Sequence, residues 1–443
     1  MMRRLVKGSQ LGLAVSVLIG LSWCPAHAQL DSTFSHMFYD ILVTRLSLSP
    51  GLHAQHFIPA AQAANNQLVP ALNSLIYNNI ASFPISSAST GILYDWVGGQ
   101  PVRLPTSLGP ILGETARTVG AGKLALEVSY NYLNMDRFRG VPTNQMQFNF
   151  THQLLNGDMI LGTDPTESDY ITVSTDMHVS ASMAALIATY GLTKDIDIGF
   201  AIPVIKMSLS GTATAVINSF TFATYGIAFH YFGGTAQNPV LSIEEPYNQS
   251  STGIGDIALR AKYGIVRSPD ADVAALVDVR LPTGKQEDFL GTGKTTLRIW
   301  GILSRRIGEM TPHINLGYAH NSATLQSDAV EFRAGFESPL LSDLTFALDF
   351  LGQIDVNSSK AVHLLPGSVT YVDHPVNGTG TAQRIVPLSN IPDSNGDNLY
   401  NASIGFRFAP NDKFMFFANI LAPLNNAGLR ATLAPTVGLS ANL

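Results

Sequence analysis

Charge, thiols and long apolar runs are all scarce in this chain of 443 residues. Only 13% of residues are charged, against about 25% in an ordinary soluble domain. The single cysteine, Cys24, lies close to the N-terminus, so the rest of the chain can form no disulfide, thiolate metal site or cysteine nucleophile. Lys and Arg number 26 against 32 Asp and Glu, a formal net charge of −6. No basic stripe stands out, and nucleic acid is not an expected partner. Beyond residue 28 no apolar run approaches the roughly 20 residues that a membrane-spanning helix needs.

The first 28 residues have the plan of a secretory signal peptide. Arg3, Arg4 and Lys7 form a basic start, Leu11 to Trp23 an apolar run, and Ala26-His27-Ala28 a small-x-small cleavage site. The run is short for an anchor, and Trp23 is bulkier than the residue that precedes a lipid-bearing cysteine. Cleavage removes three positive charges, taking the net charge from −6 to −9, and removes Cys24 as well. The expected mature protein is exported, mildly acidic and free of thiols.

What the sequence does contain is alternation. From about Val119 to Leu443, segments of ten or more residues alternate apolar and polar side chains and then meet a turn. Leu124, Leu126, Val128, Tyr130 and Tyr132 alternate with Glu127, Ser129 and Asn131, and Val330, Phe332 and Phe336 with Glu331, Arg333 and Glu337. Twelve segments follow this rule, near 122–136, 170–190, 195–213, 254–267, 272–284, 294–307, 311–323, 328–338, 343–356, 398–410, 413–422 and 429–442. Short turns alternate with longer links, the longest being 137–169, 214–253 and 357–397. An even strand count with short turns at one end and long loops at the other is the plan of an outer-membrane barrel, whose closure leaves no backbone edge in lipid. The fold class expected is all-β, a closed antiparallel transmembrane β-barrel of about 12 strands over residues 120–443.

Residues 29–119 read differently. Phe34, Met37, Phe38, Ile41 and Leu42 have helical spacing, as do Leu68, Leu72, Leu75, Ile76 and Ile80, with Pro70 placed like a first-turn proline. Ser82 to Gly122 is rich in Gly, Pro and Ser and poor in charge. Two short amphipathic helices and an irregular stretch, plugging or capping the barrel, are expected.

The run Gly253-Ile254-Gly255-Asp256-Ile257-Ala258-Leu259-Arg260-Ala261-Lys262-Tyr263, then Leu281-Pro282-Thr283-Gly284, Leu290-Gly291-Thr292-Gly293 and Asn315-Leu316-Gly317-Tyr318 together resemble the MetA-pathway of phenol degradation family. Ser82-Phe83-Pro84-Ile85 and Gly120-Ala121-Gly122-Lys123 look like its entry segment. The resemblance implies a Gram-negative outer-membrane barrel, similar in outline to channels for long-chain fatty acids and aromatic hydrocarbons. The ending departs from the common barrel pattern, with Leu443 in place of a terminal aromatic and Ala441 in place of a large residue.

Several motifs suggest chemistry and are weighed against plainer readings. Gly291-Thr292-Gly293-Lys294-Thr295-Thr296 looks like a phosphate loop, but the first glycine of that motif falls on Asp288, and Thr295 to Ile307 alternates as a strand. Asp393 to Asn398 has oxygen ligands at alternate positions, yet Ile404 stands where a calcium loop needs its glutamate, so an Asn-Gly turn is expected. His320 and Ser322 have the spacing of a barrel lipase pair and should face lipid near the long-loop rim, whereas His178 and Ser180 should face the lumen. His53 and His56 are spaced for a metal pair without a third ligand, and a surface role is expected for them.

The inward charges remain: Glu127, Asp176, Asp195, Asp197, Asp256, Arg260, Lys262, Asp278, Arg280, Arg298, Glu331, Arg333, Glu337, Asp349 and Arg407. They read as lumen-lining residues, either walls of a permeation path or mutually neutralising pairs that stiffen the barrel. Their mixed signs argue against a strongly ion-selective pore. The expected function is passive passage of small solutes, apolar or aromatic, gated by the N-terminal helices. A lipase and a purely structural or adhesive barrel are the alternatives. No catalytic residue, metal, cofactor or nucleotide is expected, and the partners are outer-membrane lipid, a small-molecule solute and the barrel-assembly machinery.

Overall fold

A computed structural model describes residues 29–48, 56–84, 94–97, 100–103, 107–155, 160–268, 271–322, 325–373 and 381–443. The signal peptide expected at residues 1–28 and His53 lie outside them.

Twelve strands form one closed antiparallel barrel: β1 (Leu124–Phe138), β2 (Tyr170–Gly191), β3 (Ile196–Asn218), β4 (Ile257–Arg267), β5 (Ala271–Leu281), β6 (Thr296–Arg305), β7 (Thr311–Asn321), β8 (Ala329–Leu341), β9 (Leu344–Asp355), β10 (Leu399–Phe408), β11 (Phe414–Pro423) and β12 (Ala434–Asn442). Each pairs with its sequence neighbour, and β12 closes against β1 with Thr436 opposite Asn131 and Asn442 opposite Ala125. Leu124 and Leu443 exchange backbone hydrogen bonds of 3.0 and 2.8 Å, which seals the seam at the short-turn end.

Alternation does on this wall what a pleat requires. Val128, Tyr130 and Tyr132 on β1, Leu259 and Tyr263 on β4, Ile299 and Leu303 on β6, Leu316 and Tyr318 on β7 and Ile404 and Phe406 on β10 are exposed outward. Glu127, Ser129, Asn131, Arg298, Asn315 and Arg407, one step along the same strands, are buried inside. An outer belt of aliphatic and aromatic side chains over a polar interior is a wall whose solvent is lipid.

Two departures from the expected strands have local causes. The last strand begins at Ala434 because Leu429–Ala431 forms a separate short strand on β1, with a register shift between Arg430 and Ala431. The expected loop 214–253 is largely ordered: β3 runs on to Asn218, and Ser242–Ile254 pairs with it from Val216 back to Val204. Ser242–Ile254 carries polar residues on both faces, so apolar periodicity gives no sign of it.

β2 and β3 have 22 and 23 residues, about twice what a bilayer crossing uses. Their upper halves, flanked by Met146–Thr151 and Ser242–Ile254, make a four-stranded sheet at the long-loop end. The N-terminal helices pack on its inner face. Helix α1 (Ser32–Tyr39) continues as a π turn, Asp40–Thr44, while α2 (Ile58–Ala63) and α3 (Val69–Ser82) are joined by a second π turn, Ala64–Leu68. Pro70 has no N–H to give the preceding turn, and the widened turn before it absorbs that loss. Phe34, Phe38, Leu42, Leu68, Leu72 and Ile76 share one core with Phe148, Phe150, Ile171, Val173, Met207 and Leu209. The Phe38 ring sits 5.5 Å from Phe150 and 6.1 Å from Phe148. The long-loop half of the interior is thus apolar and filled by helices, and the short-turn half is polar.

Candidate functional site

In the polar half, residues 107–122 run through the interior as a strap that ends at β1. Among the described residues its backbone has no partner strand, and lumen side chains take that place. Leu108 N–H donates to Thr345 Oγ1 (3.0 Å), Leu112 N–H to Asp349 (3.3 Å), Ala116 N–H to Ser304 Oγ (3.1 Å) and Val119 N–H to Asp197 (3.0 Å). The Pro110 and Leu112 carbonyls accept from Arg407 (2.5 Å) and Arg333 (2.6 Å). Glu114 and Asn315 bond reciprocally, backbone N–H to Oδ1 at 2.7 Å and Nδ2 to backbone carbonyl at 2.9 Å.

Glu114 is the centre of this arrangement. Its carboxylate meets Arg260 in a short contact and Lys262 at 3.3 Å, and Lys262 also donates to the Thr115 carbonyl at 3.1 Å. Burial alone would raise the Glu114 pKa, but the attraction of Arg260 and Lys262 outweighs it and holds the group at about 2. Arg117 pairs with Asp272 at 2.6 Å. Gly113 is needed for the close approach, since a Cβ there would stand 2.4 Å from His313 Nε2. His313 bridges two of the expected lumen acids, Glu337 at 2.9 Å and Asp349 at 2.8 Å.

Above the strap, a chamber of about 110 Å³ reaches the end of α3. Arg280, Arg298, Arg333 and Arg430 line it with Glu331, beside Trp300, Leu351 and Leu421. Arg298 pairs with Glu331 at 3.3 Å, Arg333 lies 4.7 Å over the Trp300 ring, and Arg280 donates to the Ala81 carbonyl in the last turn of α3. Asp278 stands 3.3 Å from Arg260 and 3.9 Å from Arg280. Glu127 is buried on the inner face of β1. The signs are mixed along the sequence but sorted in space: the strap's Glu114 faces Arg260 and Lys262, and the chamber keeps four arginines around one glutamate.

Three of the expected lumen residues sit elsewhere. Asp176 points outward and is half-exposed, 3.1 Å from an equally exposed His178, and Ser180 shares that outer face. Here β2 has passed above the lipid belt, and its inner face, Ile171, Val173, Met177 and Val179, packs on the helices, so the polarity of the alternation is reversed. Asp195 lies in the turn before β3, at the short-turn rim, 3.4 Å from Arg267. Asp256 is a loop anchor: its carboxylate accepts from Gly284 N–H (3.0 Å), Thr292 N–H (2.9 Å) and Thr292 Oγ1 (3.2 Å). A Cβ on Gly291 would stand 2.2 Å from Asp256 Oδ1, so glycine is required there. The phosphate-loop lookalike is thus the partner of Asp256, and β6 follows it as a strand.

Sequence reasoning missed Glu114, Asn315, His313 and Arg430. Glu114 had a signal, since it and Arg117 are the only charged residues between 104 and 122. The Asp393–Asn398 loop serves structure: Asp397 accepts from Arg139 at 2.9 Å and from Gly428 N–H at 2.9 Å. His320 is exposed on the outer face near the long-loop rim, 3.0 Å from Asp328, and among the described residues no hydrogen bond links it to Ser322. His56, expected at the surface, is buried against His152 and His230, because the chain leading into α2 passes beneath the long loops.

A family model described as "Putative MetA-pathway of phenol degradation" matches residues 163–428, more than half of the chain. The chain belongs to this family. The match spans β2 to β11 and includes the Asp256 loop anchor together with most of the strap's partners. Among solved structures, an outer membrane channel from Pseudomonas putida F1 is similar at 10% identity, covering 74% of this chain and 98% of that one, with a TM-score of 0.41. The Ralstonia pickettii toluene transporter TbuX is similar at 12% identity, covering 83% and 98%, with a TM-score of 0.27. A Pseudomonas aeruginosa FadL homologue follows at 7% identity, covering 72% and 90%, with a TM-score of 0.33. No curated protein sequence matches.

Proposed function

We propose that this member of the phenol-degradation family is an outer-membrane channel for passive passage of small solutes with an apolar or aromatic body, gated by its own N-terminal segment. The observation that carries the reading is the chamber between strap and α3. At about 110 Å³ it is of the size class that holds one benzene-sized ring, about 150 Å³ in the benzene-binding case. Trp300 and Leu351 offer apolar contact, and the adjacent arginines offer donors to a hydroxyl or carboxylate on the ring.

The barrier to passage is the strap. It is held by hydrogen bonds from single side chains, each exchangeable for water at a net cost of about 0.5–1.5 kcal/mol, and by the Glu114 cluster. Movement of the strap opens the short-turn end of the chamber, and withdrawal of α3 opens the other. The outer apolar belt supports residence in the outer membrane, and His320, exposed on the outer face, faces Asp328 at 3.0 Å rather than Ser322 among the described residues, which favours transport over ester hydrolysis. Proteoliposomes assayed for entry of phenol, benzoate and glucose test the reading. Phenol or benzoate should enter faster than glucose, and deletion of residues 31–80 should raise entry of all three. Absence of entry by any of them, with the deletion as well as without it, contradicts the reading.

A further inference from the structure

Three buried histidines from distant parts of the chain converge at the long-loop end. His56 precedes α2, His152 follows the short strand Met146–Thr151, and His230 lies in the two-residue strand His230–Tyr231. One ring nitrogen of each lies within 4.8 Å of those of the other two. The rings stack edge to face, His56 to His152 at 4.3 Å and His152 to His230 at 5.0 Å between centroids. Phe57 packs against His152 and His230 at 5.5 and 5.3 Å and shields the cluster.

The second ring nitrogens of His230 and His152 are engaged in the way metal-bound imidazoles require. His230 Nδ1 faces the fully buried Asp169 carboxylate at 2.8 Å, and His152 Nδ1 faces the Gln153 carbonyl at 2.6 Å. A proton on each Nδ1 leaves Nε2 as the ligand, the carboxylate–imidazole and carbonyl–imidazole pattern of metal sites. Asp169 is itself fixed, accepting from Phe220 N–H at 2.7 Å and Ser219 Oγ at 3.2 Å. Gln153 N–H donates to the His56 carbonyl at 2.9 Å, which ties the first histidine to the second.

We propose that His56, His152 and His230 form a binding site for a divalent transition ion of the zinc class, with Asp169 orienting His230. Three neutral imidazoles suit zinc, copper or nickel and not calcium or magnesium. Tetrahedral zinc, with bonds of about 2.0–2.1 Å, spaces its nitrogens about 3.4 Å apart, so small ring rotations complete the site. The ion clasps the segment leading into α2 to the β1–β2 and β3–β4 loops, and so fixes the helices in the barrel mouth.

The test uses the mature protein in detergent, stripped with a chelator and titrated with zinc by calorimetry. Heat-modifiable migration verifies that each variant is folded. One ion should bind per chain. His152→Ala and His230→Ala should each weaken binding by more than about 100-fold, Asp169→Asn by about 10–100-fold, and the exposed control His178→Ala should leave it unchanged. Zinc-edge X-ray absorption of the unaltered protein should give about three imidazole nitrogens at about 2.0–2.1 Å, a reading independent of whether any variant folds. Failure of the folded protein to bind, binding retained in both His152→Ala and His230→Ala, or a shell without imidazoles overturns the proposal.

Discussion

Glu114→Gln isolates the strap's electrostatic hold on the lumen. The substitution keeps the shape and the reciprocal backbone bond to Asn315 but removes the charge that faces Arg260 and Lys262. Breaking a buried ion pair by removing one partner costs about 3–5 kcal/mol, because the remaining charge stays buried. Arg260 keeps Asp278 at 3.3 Å, and Lys262 keeps the Thr115 carbonyl at 3.1 Å and the attraction of Asp197, its cross-strand partner, so the low end, about 3 kcal/mol, is the appropriate magnitude. Since about 1.4 kcal/mol is a factor of ten, the ratio of displaced to seated strap should rise by about 100-fold. In planar lipid bilayers this reads as a rise of that order in open probability from a mostly closed baseline, at unchanged single-channel conductance. Glu114→Asp should fall between the two. A Glu114→Gln protein that migrates as a folded barrel and opens no more often than the original refutes the reasoning.

The same contact carries a pH signature. Because the Glu114 pKa is held at about 2 in the folded state, below the ordinary 4.5, its stabilisation is present in full above pH 4.5 and is lost as pH falls towards 2. Open probability should climb across that window in the original protein and not in Glu114→Gln. Asp256→Ala strips the Gly284 and Thr292 N–H groups of their acceptor, at about 1–3 kcal/mol, and should expose Lys285 to trypsin in the otherwise folded barrel. Ser322→Ala should leave hydrolysis of a fatty-acyl ester at background, and an activity abolished by this change alone would revive the lipase reading.

The barrel was legible because every wall strand separates two solvents, and that separation is written at period two, as in Val128, Tyr130 and Tyr132 against Glu127, Ser129 and Asn131. Legibility failed where the solvents change. Above the lipid belt β2 has helices inside and water outside, so Asp176 and His178 turn outward while keeping the same alternation. Ser242–Ile254, polar on both faces, left no trace at all. The strap was legible only as a charge-poor stretch that had to pack somewhere. Its partners are lumen groups up to about 300 positions away, as with Arg407 and Pro110, and no local spacing encodes such a pair. The histidine cluster was out of reach for the same reason, since His56, His152 and His230 meet only through the fold.

The central claim is that the strap over residues 107–122 is the barrier to passage. Ala116→Cys with Ser304→Cys places two thiols where the Ala116 N–H now meets Ser304 Oγ at 3.1 Å, in a mature chain expected to lack Cys24. Benzoate entry into proteoliposomes should be abolished on oxidation of this pair and restored by reductant. Entry at the same rate with the strap locked, disulfide formation having been verified by mass, would contradict the account.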